Sequence, residues 1–141
     1  MKKLLVLLLS LILLSACSST GMSYQERNKA YLAYVNSHNI AALDRVNTFT
    51  YQGWQSLTDK FLILRTRVKD RYLIELTSYC PDLSFANAIA INQSMGSTLV
   101  SKFDSISVIG AKQPQCYIKA IYPLTKAQVK EITAIGKAER E

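Results

Sequence analysis

Apolar residues recur at helical spacing in two segments, and each segment follows a capping box. The first box runs from Ser23 to Glu26 and the second from Thr125 to Gln128. The apolar residues behind the two boxes are Ala30, Tyr31, Tyr34 and Val35, and then Val129, Ile132 and Ile135. This spacing predicts an N-terminal helix over residues 23–35 and a C-terminal helix that begins at the second box.

Between the two helices, short β-favouring runs alternate with polar or glycine-containing stretches. The predicted strands lie within residues 46–51, 61–64, 71–76, 89–91, 103–109 and 116–121. Residues 68–70 predict a tight hairpin loop, Gly53-Trp54 predicts a bend, and residues 40–43 and 83–88 predict short helical turns. The order predicts an α+β fold, a small antiparallel sheet or partial barrel of about five to six strands with a helix at each end.

The beginning of the chain has the pattern of an export leader. Lys2 and Lys3 precede residues 4–14, which are apolar apart from Ser10. Residues 4–16 are too few to cross a bilayer, which takes about 20 helical residues. The Leu-Ser-Ala-Cys that ends at Cys17 resembles the lipobox of bacterial lipoproteins, in which the cysteine is acylated and the leader is removed just before it. The alternative is an ordinary secretory leader that leaves Cys17 as a free thiol.

The lipobox resemblance also implies where the protein is held. Ser18, and not an aspartate, follows Cys17, which in Gram-negative lipoprotein sorting implies the outer membrane, with the protein facing the periplasm. Each buried methylene of an acyl chain contributes about 0.8 kcal/mol, so several chains on one cysteine make release slow. The predicted organisation is a signal peptide at residues 1–16, a lipidated cysteine and tether at 17–22, and one domain at 23–141.

Two cysteines, Cys80 and Cys116, remain once Cys17 is assigned to lipid. In an exported domain such a pair most simply forms one disulfide. Closing this loop is expected to stabilise the fold by about 3–4 kcal/mol in the chain-entropy model. The pair forms no Cys-x-x-Cys motif, and His38 is the only histidine, so neither a redox role nor a metal site is predicted. No cofactor is expected.

The sequence offers few candidates for catalysis. It has no Gly-x-Ser-x-Gly elbow, no His-Glu-x-x-His and no phosphate loop. His38 follows the first helix and is expected to face solvent or to cap the helix C-terminus. Asp104 shares a face of its predicted strand with Ile106 and Val108. It is either a buried acid of a functional site or a strand-end carboxylate that accepts backbone hydrogen bonds.

The charge of the chain mildly favours anionic partners. The net charge is +7, and +5 remains when Lys2 and Lys3 leave with the leader. This surplus is too small and too scattered to predict nucleic-acid binding. Four basic residues alternate around the predicted hairpin: Arg65, Arg67, Lys69 and Arg71. They are either a patch that contacts phosphate groups of lipid or lipopolysaccharide, or a solvated sheet edge that discourages aggregation.

Several residues between 45 and 124 resemble those of a known family. They are Gly53-Trp54, Tyr72-Leu73 with Leu76, Cys80 with Leu83 and Ala86, Phe103-Asp104, and Cys116 with Ile118 and Ile121. Together they resemble a family of small Gram-negative bacterial lipoproteins, the domain of unknown function 6491. The resemblance implies an exported, disulfide-bearing domain. It brings no activity, cofactor or catalytic residue.

These observations lead to two hypotheses about function. The first is a non-catalytic lipoprotein, anchored to the outer membrane through Cys17, that binds an envelope protein or anionic lipid or acts as a structural accessory of the envelope. The alternative is an enzyme or enzyme inhibitor that acts on envelope polymers, with Asp104 or nearby polar groups in a cleft. A cleft around Asp104 would favour the second hypothesis, and an exposed apolar patch would favour the first.

Overall fold

The computed structural model describes residues 21–67, 69–112 and 115–137. The predicted leader, Cys17 and most of the tether lie outside these residues. Within the described residues, no helix combines the length and the apolar character needed to cross a membrane.

Two α-helices and eight strands make up the described fold. In chain order they are α1 (Tyr24–Ser37), β1 (Arg45–Val46), β2 (Gly53–Ser56), β3 (Phe61–Arg65), β4 (Arg71–Leu76), β5 (Ile89–Asn92), β6 (Leu99–Val100), β7 (Ser105–Val108), β8 (Cys116–Leu124) and α2 (Lys126–Ala134), with a 3₁₀ turn at Leu83–Phe85 between β4 and β5. The α+β prediction, with a helix at each end, is confirmed.

Both predicted capping boxes are present. The Ser23 side chain accepts a hydrogen bond from the Glu26 backbone N–H, and the Glu26 carboxylate accepts one from the Ser23 N–H. Thr125 and Gln128 form the same reciprocal pair at the start of α2. Because these contacts satisfy amides that have no partner within the helix, they fix where each helix begins.

Six strands form one curled antiparallel sheet, a half-barrel in the order β2-β3-β4-β8-β7-β5. The short strands β1 and β6 pair separately through Arg45 with Val100 and Val46 with Leu99. The long strand β8 joins the two halves of the large sheet, since it pairs with both β4 and β7.

The sheet is buried on both faces, which explains the unbroken apolar run in β3. One face packs against the helices, where Phe61, Ile63 and Leu73 meet Tyr31 and Ile132. The other face forms the larger core. Its buried members are Val46, Phe49, Leu62, Leu64, Ile74, Leu76, Cys80, Leu83, Ile89, Leu99, Ile106, Cys116, Ile118 and Ile121.

A disulfide joins Cys80 to Cys116, as the cysteine count predicts. The Cα atoms are 5.7 Å apart and the sequence separation is 36 residues. Cys80 precedes the 3₁₀ turn and Cys116 begins β8, and both lie in the larger core. The bond therefore ties the segment after β4 to the centre of the sheet.

Three local predictions are wrong. Residues 40–43 form no helical turn, and Leu43 instead makes an isolated bridge to Ile121 of β8. Gly53 and Trp54 are not a bend but the first residues of β2. The β-favouring run at residues 46–51 contributes only the two-residue strand β1, because Thr48 has a left-handed backbone (φ 54°) that ends the extended conformation.

Candidate anion-binding site

The hairpin between β3 and β4 carries the four predicted basic residues. Arg65 ends β3 and Arg71 begins β4, and the two are direct cross-strand partners, which places their side chains on one face. Backbone hydrogen bonds close the loop, since Thr66 N–H donates to the Asp70 carbonyl at 3.1 Å and Asp70 N–H donates to the Arg67 carbonyl at 3.3 Å. Since β3 and β4 are interior strands, these residues do not protect a sheet edge.

Three arginines converge on one depression at this end of the sheet. Gln52, Arg65, Arg67 and Arg71 line a volume of about 280 Å³. Arg65 and Arg67 are exposed, and the half-buried Arg71 donates from Nη1 to the Lys69 carbonyl at 3.4 Å. Guanidinium groups present forked N–H donors that match the oxygens of phosphate and carboxylate. The arrangement can therefore bind an anion.

Two residues that sequence reasoning missed help to form this depression. The backbone N–H of Gln52 donates to the Arg65 carbonyl at 2.9 Å. Gly53 lies directly opposite Arg65, and a Cβ at this glycine would be 2.9 Å from Arg65 Nη2. Glycine thus leaves the space that the guanidinium occupies. The sequence has no local signal for this contact, because only the β2–β3 register brings the two residues together.

The hairpin arginines take part in no ion pair with a described carboxylate. In the described part of the chain, the ion pairs within 4.0 Å join His38 to Glu131, and both Lys60 and Lys119 to Glu75. The charges at the depression are therefore available to a ligand.

The arginine charges act on two neighbouring tyrosines. Burial raises the pKa of the Tyr51 hydroxyl, and the charge of Arg65 opposes part of this increase. Burial also raises the pKa of the Tyr72 hydroxyl, where the charge of Asp70 adds to the increase and that of Arg67 opposes it. The field at this end of the sheet is thus positive, with Asp70 as a local negative contribution.

Lys69 does not line the arginine depression but a second one beside it. Lys69, Arg71, Leu124, Thr125 and Lys126 surround about 580 Å³ at the junction of β4, β8 and α2. Arg71 lines both depressions. The structure therefore brings all four predicted basic residues to one end of the sheet and adds Lys126, which sequence reasoning assigned only to a capping box.

Asp104 is fully buried immediately before β7. Its Oδ1 accepts hydrogen bonds from the Ser94 N–H at 2.7 Å and the Ser94 hydroxyl at 2.6 Å, and its Oδ2 accepts one from the Val100 N–H at 2.6 Å. Both oxygens are thus engaged: Oδ1 holds the loop before β6 and Oδ2 holds β6 itself against the start of β7. This is the strand-end arrangement that the sequence offered as one of two alternatives.

His38 is the C-cap of α1 and is exposed, as the sequence predicts. Its Nδ1 lies 2.9 Å from the Tyr34 carbonyl oxygen, and its ring stacks on the Tyr34 ring at 3.9 Å between centroids. Burial, and then the hydrogen bond to Glu131, raise the pKa of Tyr34 to about 12. These contacts join the end of α1 to α2.

Glu75 is a buried carboxylate that sequence reasoning missed. Lys119 Nζ lies 2.8 Å from its Oε1 and Lys60 Nζ lies 3.9 Å from the same atom, while the Tyr122 hydroxyl is 3.5 Å from Oε2. The hydrogen bond to Glu75 raises the pKa of Lys119. Because side chains alternate along β4, Glu75 lies on the other face of the sheet from Ile74 and Leu76. Its charged partners are remote in sequence, so no local pattern predicts the cluster.

An apolar surface lies away from the basic end of the sheet. Phe85 and Ile109 are 83% and 63% exposed. With Val108, Ala86 and neighbouring residues they line a depression of about 230 Å³. Exposed apolar side chains that share a depression are typical of surfaces that bind partners.

Comparison with known proteins places the chain in a family. The match is to a family of unknown function (DUF6491) and extends over residues 1–140. The chain belongs to this family. No curated protein and no solved structure matches the chain. The family resemblance is thus confirmed over almost the whole chain, and the evidence for a function comes from the residues themselves.

Proposed function

We propose that the chain is a lipoprotein of a Gram-negative outer membrane, anchored through Cys17 and facing the periplasm, which binds an anionic component of the envelope without catalysis. The observation that carries the binding role is the depression in which Arg65, Arg67 and Arg71 converge without a carboxylate partner among the described residues. The lipobox at residues 14–17 supports the anchor.

Two further observations support binding over catalysis. The Asp104 carboxylate already accepts three hydrogen bonds from Ser94 and Val100, so its contacts are those of a group that holds a loop and the strand β6 in place. The exposed Phe85 and Ile109 fit a surface that contacts a partner. Among the described residues, no comparable observation favours the enzyme hypothesis.

Replacing Cys17 by serine is expected to abolish lipid attachment. Because the lipid is expected to be attached through the Cys17 sulfur, cells grown with labelled palmitate should label the unaltered chain and leave the Cys17→Ser chain unlabelled. The Cys80→Ala/Cys116→Ala chain is the matched control and should still incorporate label. Equal labelling of the Cys17→Ser chain would contradict the anchor, as would recovery of the unaltered chain outside the outer-membrane fraction.

Charge reversal at the depression is expected to weaken binding to an anionic surface. In a Cys17→Ser background, Arg65→Glu/Arg67→Glu should lower the affinity for vesicles that contain phosphatidylglycerol by at least about tenfold. The reason is that each Lys or Arg near an anionic membrane contributes about 1 kcal/mol. Vesicle sedimentation measures the affinity.

The matched control for this experiment is Lys29→Glu/Arg45→Glu, which reverses two exposed charges on α1 and β1 and so changes the net charge by the same amount. It should bind within about twofold of the parent, since the depression is unaltered. If Lys29→Glu/Arg45→Glu weakened binding as much as Arg65→Glu/Arg67→Glu, the interaction would depend on net charge alone and the assigned site would be wrong.

A further inference from the structure

A row of cross-strand partners runs across four strands at the basic end of the sheet and connects the two depressions. Gly53 of β2 lies opposite Arg65 of β3, Arg65 lies opposite Arg71 of β4, and Arg71 lies opposite Leu124 of β8. Direct cross-strand partners project to the same face, and neighbouring strands are about 4.8 Å apart. From Arg65 to Leu124 the row therefore spans roughly 10 Å, with Arg71 at its centre.

Each depression is lined by cations of its own, and one further cation lines both. Arg65 and Arg67 belong to the first depression, and Lys69 and Lys126 belong to the second. Arg71 lines both. A single anion would contact one group of cations and leave the other group unpaired.

The second depression also differs from the first in its chemistry. Lysines contribute compact charges, whereas the arginines of the first depression contribute planar forks. The Thr125 Oγ accepts a hydrogen bond from Gln128 N–H at 3.2 Å, which leaves its own hydroxyl hydrogen able to donate. Both depressions thus offer donors and positive charge to a phosphate group.

We propose that the ligand carries two phosphate groups on one molecular frame, one in each depression, with Arg71 between them. This inference rests on the proposed function and specifies its ligand. A spacing of roughly 5–10 Å between the two phosphates corresponds to one to two strand intervals. A phosphorylated lipid headgroup and a soluble sugar bisphosphate share this chemistry.

Calorimetric titration of the full chain in a neutral detergent tests the proposal. The probes are fructose monophosphate and fructose bisphosphate, which share a sugar and differ by one phosphate. The bisphosphate should bind at least about tenfold more tightly, because the second phosphate adds charge-assisted hydrogen bonds. Equal affinities for the two probes would overturn the proposal while leaving anion binding intact, and binding of neither probe would overturn the proposed function as well.

Two variants locate the second phosphate. Lys126→Gln should lower the affinity for fructose bisphosphate to about that for the monophosphate, because it removes a charge from the second depression alone. Lys29→Gln, an exposed lysine on α1 with the same change in charge, should bind the bisphosphate as the unaltered chain does. An unchanged bisphosphate affinity in Lys126→Gln would contradict the two-depression site.

A third probe separates the two sources of such a ligand. Short-chain phosphatidylinositol monophosphate carries one phosphate in its diester link and another on the inositol ring. Tighter binding of this lipid than of fructose bisphosphate identifies a lipid headgroup as the ligand. Tighter binding of fructose bisphosphate identifies a soluble one. Either result supports a ligand with two phosphates, provided that Lys126→Gln weakens it.

Discussion

Removing the disulfide is expected to lower the free energy of unfolding by about 3–4 kcal/mol. The change is Cys80→Ala/Cys116→Ala. It releases a constraint between residues 36 positions apart, so the unfolded chain gains conformational entropy. Both cysteines also lie in the larger core, where the loss of their sulfur atoms removes packing. Urea unfolding followed by circular dichroism measures the difference.

The matched control for this experiment is Cys17→Ser. Cys17 is expected to be outside the disulfide, so its replacement should leave the unfolding midpoint unchanged. Adding a reductant should destabilise the unaltered chain and the Cys17→Ser chain equally, and should have no effect on the Cys80→Ala/Cys116→Ala chain. A reductant-independent midpoint in the unaltered chain would show that the bond does not contribute to stability.

Tyr31→Ala is expected to destabilise the fold by about 3–5 kcal/mol, the usual cost of emptying a buried aromatic site. Tyr31 is fully buried, and its ring lies 5.4 Å from that of Phe61 at an angle of 59°. Arg27 Nη2 donates to its hydroxyl at 2.9 Å. This one side chain therefore joins α1 to β3, and thermal or urea unfolding should show the loss.

Two further variants separate the parts of this effect. Tyr31→Phe keeps the ring and loses only the hydrogen bond from Arg27, so it should cost about 1 kcal/mol. Tyr79→Ala removes a tyrosine that is 64% exposed and should change stability by less than about 0.5 kcal/mol. A cost for Tyr31→Ala no larger than that for Tyr79→Ala would contradict the packing of α1 on the sheet.

Elements with local determinants were predictable from the sequence. The capping boxes at Ser23 and Thr125 identified both helices, because their contacts join residues only three positions apart. The β-favouring run at residues 116–121 located β8, since it too is a local signal. The cysteine count gave the disulfide, since it left one pair after Cys17 was assigned to lipid.

Elements that depend on remote partners were not predictable. Gly53-Trp54 predicts a bend, yet Gly53 lies within β2, because β2 pairs with β3 and sets Gly53 opposite Arg65. The strand β6 has only two residues and exists because it pairs with β1, more than fifty residues earlier. No local periodicity of the sequence indicates strand pairings of this kind.

The candidate site was predictable only in part, because some of its residues reach it through pairing between strands that are remote in sequence. The alternation of Arg65, Arg67, Lys69 and Arg71 predicts a basic hairpin. Sequence reasoning could not show that Lys69 lines a second depression, which it shares with Arg71 but not with Arg65 or Arg67. It also missed Gln52 and Lys126, which reach the site only through the pairing of β2 with β3 and of β4 with β8.

The most direct test of the proposed site follows the arginine side chains themselves by nuclear magnetic resonance. The Nε–Hε signals of Arg65, Arg67 and Arg71 should shift together as fructose bisphosphate is added, with one half-saturation concentration. Those of Arg27, which is hydrogen-bonded to Tyr31, and of the remote Arg45 should stay in place. Shifts of equal size at Arg45, or no shift at the three hairpin arginines, would contradict an anion-binding site at this end of the sheet.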